Sequence, residues 1–397
     1  VSSSTGHFAR GWFYGTIACG SIGTVMTAPL TALYAKELGA TDALAALIVS
    51  VMALSFLLLD LVASRVVPRI DARLALAGGY AVFGVGSFAS AVAPDLLTMT
   101  LARVLQGFAA AFPMGAGFHM ALRLARPGQQ GTELGRFNAA SFTGMTIGPL
   151  AAGAIADAIG GEAGMRWAFA TCGVVNVATA VLALRVLPSV PADDPPEFGL
   201  PAKGVFAGSR TRQALVAAGL GFGLRSIVGM TLLPLLGDEL GATAALVAVA
   251  TTVQAVTELA GTMVAGRLAD VVGRRPVTVG FAGASAVLLT GTMLSPNVPV
   301  LIAMCAVLGF TLAALRVVPA ATVVDVAESD EAAAVGWRIA CDVNGLVTAG
   351  VLGIVIGVGG LHGGFLYAAL AAGTVGLLAA SIGETHAVRA GQPELAT

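Results

Sequence analysis

Six ionisable residues lie within otherwise apolar stretches of the chain: Asp60, Arg103, Arg225, Glu258, Arg316 and Asp342. Asp60 sits nearer the end of its stretch than the others do. Moving such an ion into hydrocarbon costs about 2.5–3.5 kcal/mol on insertion scales, so each one marks a candidate site. An arginine keeps its charge and can hold a carboxylate or a phosphate. An aspartate or glutamate can bind a proton, become neutral and let go of an arginine. The chemistry open to this set is therefore proton binding coupled to charge pairing. The same residues also fit static ion pairs, because buried charges are usually paired.

These residues must be positioned by elements that cross a membrane. Of the 397 residues, 57% are hydrophobic and 11% charged, with mean hydropathy +0.88. Soluble domains carry about 25% charged residues. A run of about 18 apolar residues is long enough to span a bilayer. Apolar runs between breakers predict an all-α integral membrane protein with twelve spans, at 11–34, 43–66, 74–93, 96–122, 136–159, 166–187, 213–236, 243–265, 277–294, 298–321, 337–358 and 364–382. Most breakers are short, for example "KELGATD" and "SPNVP". The longer, proline-rich stretch after Leu187 predicts a linker over 188–211, between one six-helix bundle at 1–187 and another at 212–397.

Basic residues orient the spans. With the N-terminus inside, the outer loops hold only Lys36 and Arg166. Arginines accumulate on the other side, as the positive-inside rule requires, so both termini are expected in the cytoplasm. Two lysines against nineteen arginines, with abundant alanine and glycine, fit a GC-rich bacterial genome and hence a bacterial inner membrane. Depth follows from the helical rise. Glu258 lies about 12 Å and Arg225 about 18 Å from the cytoplasmic end, on neighbouring spans, so they can pair. Arg316 and Asp342 form a second candidate pair.

Other chemistries lack their residues. No Walker loop, HExxH or GxSxG segment occurs, and no soluble domain is long enough to hold one. Cys19, Cys172, Cys305 and Cys341 lie in apolar runs without metal-ligand spacing. The chain reads as no enzyme, without cofactor, metal or nucleic-acid partner. Its expected partners are the lipid bilayer, protons and a small-molecule substrate.

The sequence repeats itself. "GRLADVVGRRP" at 266–276 matches "SRVVPRIDARL" at 64–74, an offset of 202 residues, and Gly107 matches Gly309 at the same offset. The later copy carries Gly266, Asp270, Gly273, Arg274 and Arg275. The earlier keeps Arg69 and Arg73 but has Pro68 in place of the acid. The two copies, with "RVLQG" in span 4 (Arg103, Gln106, Gly107) and the span 5 pattern Gly135, Gly144, Gly148, Pro149, Gly153, resemble the major facilitator superfamily, and within it the twelve-span drug/proton antiporters.

That resemblance implies two pseudo-symmetric bundles, alternating access and a monomer. The span 5 pattern is commoner in exporters than importers, although Ala152 replaces one usual glycine. It implies an inter-helix loop in which Asp270 braces the start of span 5 near Gly135–Arg136. The opposite brace, toward Gly336–Arg338, lacks its acid. Spans 1, 4, 7 and 10 would line the cavity, which makes Tyr14, Met26, Gln106, Phe108, Phe112, Met114, Phe222 and Met230 candidate substrate contacts. Aromatic and thioether groups suit a bulky amphipathic compound. Arg103 matches the span 4 arginine linked to proton transfer in the family. Span 1 lacks the acid that many such antiporters carry, so proton coupling is expected in the C-terminal half. Export of an amphipathic compound, and import or facilitated passage of a polar or anionic metabolite bound by the in-span arginines, both remain open at this point.

Overall fold

In the computed structural model, residues 3–125, 130–191, 205–206 and 208–385 are described. All regular structure among them is helical. The order is α1 (Ser3–Val25), α2 (Leu30–Glu37), α3 (Asp42–Val66), a 3-10 turn (Val67–Arg69), α4 (Ala72–Ala91), α5 (Leu96–Leu124), α6 (Gln130–Ile159) and α7 (Gly161–Val186). After the stretch 192–204, which lies outside the described residues, come α8 (Ser209–Ile227), a π-helical segment (Val228–Leu232), α9 (Leu233–Glu239), α10 (Ala244–Val272), α11 (Arg274–Met293), α12 (Val298–Val326) and α13 (Asp330–Ile382). Helices dominate because a chain in hydrocarbon must satisfy its own backbone polar groups.

Eleven stretches are long and apolar enough to cross a membrane among the described residues, against the twelve expected. The difference lies in α13. Its 53 residues would run about 80 Å at 1.5 Å per residue, more than twice the hydrocarbon thickness. The helix breaks at Gly360, whose φ of +64° and ψ of −170° are open to glycine and strained for other residues. Two other stretches are interrupted within the bilayer length. Residues 26–29 turn between α1 and α2, and the π-helical segment precedes Pro234 near the start of α9. Proline donates no backbone hydrogen bond, and a π-turn upstream takes up the mismatch.

The sequence repeat is a repeat of elements. α4 and α11 have the same length at an offset of 202 residues, and so have α5 and α12. Their caps recur too. Asp95 accepts from Thr98 N at 2.8 Å to cap α5, and Asn297 accepts from Val300 N at 3.0 Å to cap α12. The loop motif is less of a loop than expected. Gly266 to Val272 continue α10, and only Gly273 leaves the helix.

The chain packs as two compact units, Val1–Phe198 with Ala242–Thr252, and Gly199–Gly241 with Val253–Thr397. The first is centred on Phe13, Ile17, Leu76, Tyr80, Met120 and Phe137. The second has smaller clusters around Ala214, Leu215 and Val323, and around Ala265, Val277 and Val318. Large apolar residues such as Val85, Leu101, Val287 and Leu370 remain exposed. In a bilayer that surface is solvated by acyl chains, so little is gained by burying it and helices must associate by close packing.

Glycines supply that packing. A Cβ on Gly107 would come 2.4 Å from Met52 O, and one on Gly309 would come 2.2 Å from Gln254 O. Both pairs are backbone approaches at equivalent places in the repeat. In α6, a Cβ on Gly144 would meet Ser21 Cβ at 2.3 Å, and one on Gly148 would meet Ile22 O at 2.7 Å. The close approaches climb α1 and α6 together, so the two helices run parallel. Gly153 lies against Ala244, Ala245 and Ala248. Gly107→Ala and Gly309→Ala should each destabilise the detergent-solubilised protein by about 1–3 kcal/mol, the cost of overpacking. Gly345→Ala, with open space around it, should be neutral. Thermal unfolding of the three variants checks this, and a neutral Gly309→Ala would contradict the packing.

Candidate functional site

The charges expected in the C-terminal half come together around one carboxylate. Glu258 of α10 is 2% exposed. Its Oε2 accepts from Arg225 Nε of α8 at 2.8 Å. Its Oε1 lies 3.3 Å from Arg316 Nε of α12. That second approach is an ion pair without hydrogen-bond alignment, since neither Glu258 Oε1 nor Arg316 Nε makes a hydrogen bond. The Arg225–Glu258 pairing matches the depth estimate. Arg316, grouped with Asp342 by the sequence, points to Glu258 as well. Asp342 is half-buried on α13.

Three helices hold this triad. Gly221 of α8 lies so close to α12 that a Cβ would meet Leu315 O at 1.9 Å, one residue from Arg316. Gly261 of α10 packs on Phe310 O of α12 in the same way, at 2.4 Å. The glycines bring the backbones near enough for two guanidinium groups to reach one carboxylate.

Arg103 of α5 has a different environment. It is 3% exposed, and its partners are neutral: Gln106 Oε1 at 2.6 Å and Met52 Sδ at 2.9 Å. Its Nε has no partner. Gln106 passes the connection on, donating to Ser87 Oγ at 2.9 Å, and Ser87 meets Cys172 Sγ at 3.3 Å. Cys172 reaches Gly23 O at 3.0 Å. A buried polar chain thus threads α3, α5, α4, α7 and α1.

The substrate candidates are scattered by burial. Gln106, expected to face the cavity, is fully buried and committed to Arg103 and Ser87, and Met26 is 1% exposed. Tyr14, Phe108, Phe112, Phe222 and Met230 are half-buried, and Met114 is 57% exposed. Asp60 and Pro68 have side chains outside the described residues.

The two loop motifs close on different carboxylates. In the second copy Asp270 accepts from Arg274 Nη1 at 2.7 Å, one turn away, and Arg274 Nε also reaches Asp325 Oδ2 at 3.3 Å. The start of α11 is capped from afar, because Glu384 accepts from Arg274 N at 2.9 Å and Arg275 N at 3.1 Å. Gly273, at φ +112°, leaves room for that carboxylate; a Cβ there would lie 2.5 Å from Glu384 Oε2. In the first copy the residue equivalent to Gly273 is Asp71, which caps α4 through Arg73 N at 2.8 Å. Burial opposes its ionisation, yet hydrogen bonds from Ser189, Arg73 N and Val190 N hold its carboxyl below the usual range. Arg69 is exposed, and Arg73 is half-buried with Nε unpartnered.

Four acids with structural contacts are not singled out by the sequence, and Glu133 is the most buried of them. Glu133, in the first turn of α6, is fully buried and hydrogen-bonded to Arg136 and Tyr14. Its signal was the Arg136 three residues on, at the start of the predicted span. The missed Asp71, Asp325 and Glu384 likewise sit at helix ends.

The model of the Major Facilitator Superfamily matches residues 12–224 and again 214–395. A puromycin resistance protein of Streptomyces alboniger is 34% identical over 170 residues, 42% of this chain and 32% of that protein. A multidrug resistance protein B homolog of Mycobacterium tuberculosis is 28% identical over 155 residues, 39% of this chain and 28% of that protein. The matched regions thus span about a third or less of these relatives. Among solved structures, a POT family transporter in complex with a thioalcohol-conjugated peptide superposes with a TM-score of 0.74 at 13% identity, covering 93% of this chain and 94% of that one. A bacterial homolog of the human lysosomal transporter Spinster gives 0.74 at 14% identity, covering 96% and 97%. The eleven bilayer-length stretches, the duplicated elements and the two regions matched by one family model agree: the chain is a multi-pass membrane protein and belongs to the major facilitator superfamily.

Proposed function

We propose that the protein exports a small amphipathic compound in exchange for protons, by alternating access of two pseudo-symmetric six-helix bundles. Reading the Gly360 break as the junction of two spans gives twelve, which puts both termini on the same side. The arginine bias makes that side the cytoplasm of a bacterial cell, with the protein in its inner membrane. The relatives named for puromycin and multidrug resistance support the direction, as does the glycine pattern of α6.

One observation carries the coupling: Glu258 is buried between Arg225 and Arg316 with one oxygen free of hydrogen bonds. A proton arriving at Oε1 turns the carboxylate into a neutral acid. The two guanidinium groups then lose their shared counter-charge and repel each other at short range in a medium of low dielectric. The conformation that keeps them together becomes less favourable, and the balance moves toward one in which water or substrate solvates them. Release of the proton on the other side restores the triad.

A second reading is import or facilitated passage of an anionic metabolite. Arg103 favours it, because its neutral partners leave its charge available to an anion. Substrate-dependent proton release from the purified protein separates the two.

In inverted vesicles, Glu258→Gln should reduce proton-gradient-driven uptake of puromycin to the level seen without a gradient, while ligand-induced thermal stabilisation persists. Undiminished driven uptake would remove Glu258 from the mechanism. The loop motifs give a second expectation. The brace implied by the family resemblance is lopsided, with an acid at Asp270 and none at position 68. Asp270→Asn should therefore favour the inward-open form and Pro68→Asp the outward-open form. Cysteine accessibility from each side reads the shift, and no change in either variant refutes the brace.

A further inference from the structure

Outside the triad, the most enclosed carboxylate among the described residues of the first unit is Glu133. Four groups converge on it or on its partners. Tyr14 of α1 donates its phenol O–H to Oε2. Arg136, one turn along α6, donates to Oε1 at 2.9 Å. Arg10 of α1 brings Nη1 to 3.9 Å of the same oxygen. The other end of that guanidinium, Nη2, donates to the carbonyl of Leu124, the last residue of α5, at 2.9 Å.

Helix ends reinforce the arrangement. The exposed N–H groups of the first turn of α6 favour the negative Glu133, and the free carbonyls ending α5 favour the positive Arg10. Three helices are therefore joined by charge at one end. Above this joint, Phe13 stacks on Phe137 with centroids 6.5 Å apart, and Gly144 and Gly148 bring the backbones of α1 and α6 together. The Tyr14 ring, which packs on Phe13 at 5.1 Å, is oriented by its hydroxyl contact with Glu133.

We infer that Glu133 is a positioning residue: it fixes the register of α1 against α6 and α5 and thereby holds Tyr14 in place for substrate. The second half of this statement rests on the reading of the protein as a carrier of amphipathic compounds. Replacing Glu133 by glutamine removes the charge that assists both bonds, turns one acceptor oxygen into an amide donor, and leaves Arg10 and Arg136 close together without their shared acid. The lower end of α1 then loosens while the glycine contacts above it hold.

The test uses the full chain with Trp167→Phe and Trp337→Phe, leaving Trp12, two residues from Tyr14 on α1, as the single fluorophore. Glu133→Gln should increase acrylamide quenching of Trp12, and Glu133→Asp should restore part of the protection. For puromycin transport, Glu133→Gln should raise the half-saturation concentration about tenfold, as for loss of a charge-assisted hydrogen bond, with little change in maximal rate. Tyr14→Phe removes a single bond and should move both readouts in the same direction by less. Glu258→Gln should lose gradient-driven transport yet keep the parent's quenching, so failure of proton coupling and failure of this joint are distinguishable. Parental quenching and half-saturation in both Glu133→Gln and Tyr14→Phe would overturn the inference. If puromycin is not carried, quenching alone decides the joint, and parental quenching in both variants overturns it.

Discussion

An ion inside a bilayer has no water to turn to, so each buried charge must be held by the protein's own groups or cease to be a charge. Arginine has only the first option, because it does not give up its proton. Glutamate has both. A carboxylate shared by two guanidinium groups is therefore an arrangement that one proton can undo, and the surrounding helices must be close enough for all three side chains to meet. Gly221 against Leu315 and Gly261 against Phe310 provide that proximity. The packing and the electrostatics of the second unit are one design: the glycines set the distance, and the distance sets the strength of the pairing.

Helix continuity obeys the same constraint. A helix satisfies its backbone internally, and any interruption at membrane depth exposes groups that need other partners. The interruptions found at 26–29 and at the π-helical segment Val228–Leu232 occupy corresponding places, next to Pro29 and Pro234. Near the first, Gly23 O accepts from Cys172, so the polar chain that begins at Arg103 ends close to a helix terminus. The break at Gly360 is of another kind, a left-handed glycine within a helical run of 53 residues.

Much of this was legible because hydrocarbon imposes a coarse code. Charge deficit and run length pointed to the membrane class and most helices, and the repeat at 202 residues reappears in helix bounds, caps and glycine contacts. The errors have a common physical origin. Hydropathy falls at the membrane surface but helical hydrogen bonding does not, so Gly266–Val272 looked like loop and is helix. Spacing along a helix gives depth but not azimuth, so the approach of Arg316 to Glu258 is not foreseen by it. Gln106 is expected at the cavity because its span faces the cavity in the family; its burial against Arg103 and Ser87 depends on azimuth, which spacing does not give. Glu133 escaped because it lies at a helix start, where an acid is ordinary, and its burial depends on Arg10 and Tyr14, more than a hundred residues away in sequence.

The two buried glutamates differ in how fully they are satisfied, and that difference separates their roles. Both oxygens of Glu133 accept hydrogen bonds, and helix-end dipoles add to the favour shown to its charge. Glu258 has one good bond, at Oε2, and only a misaligned contact at Oε1. Its hydrogen bonding is the less complete of the two. In the proposed cycle the two serve different ends: Glu133 keeps a helix in register, and Glu258 forms the pairing that a proton breaks. Under the proposed exchange, register belongs to the first unit and coupling to the second, in keeping with a span 1 that carries no acid of its own.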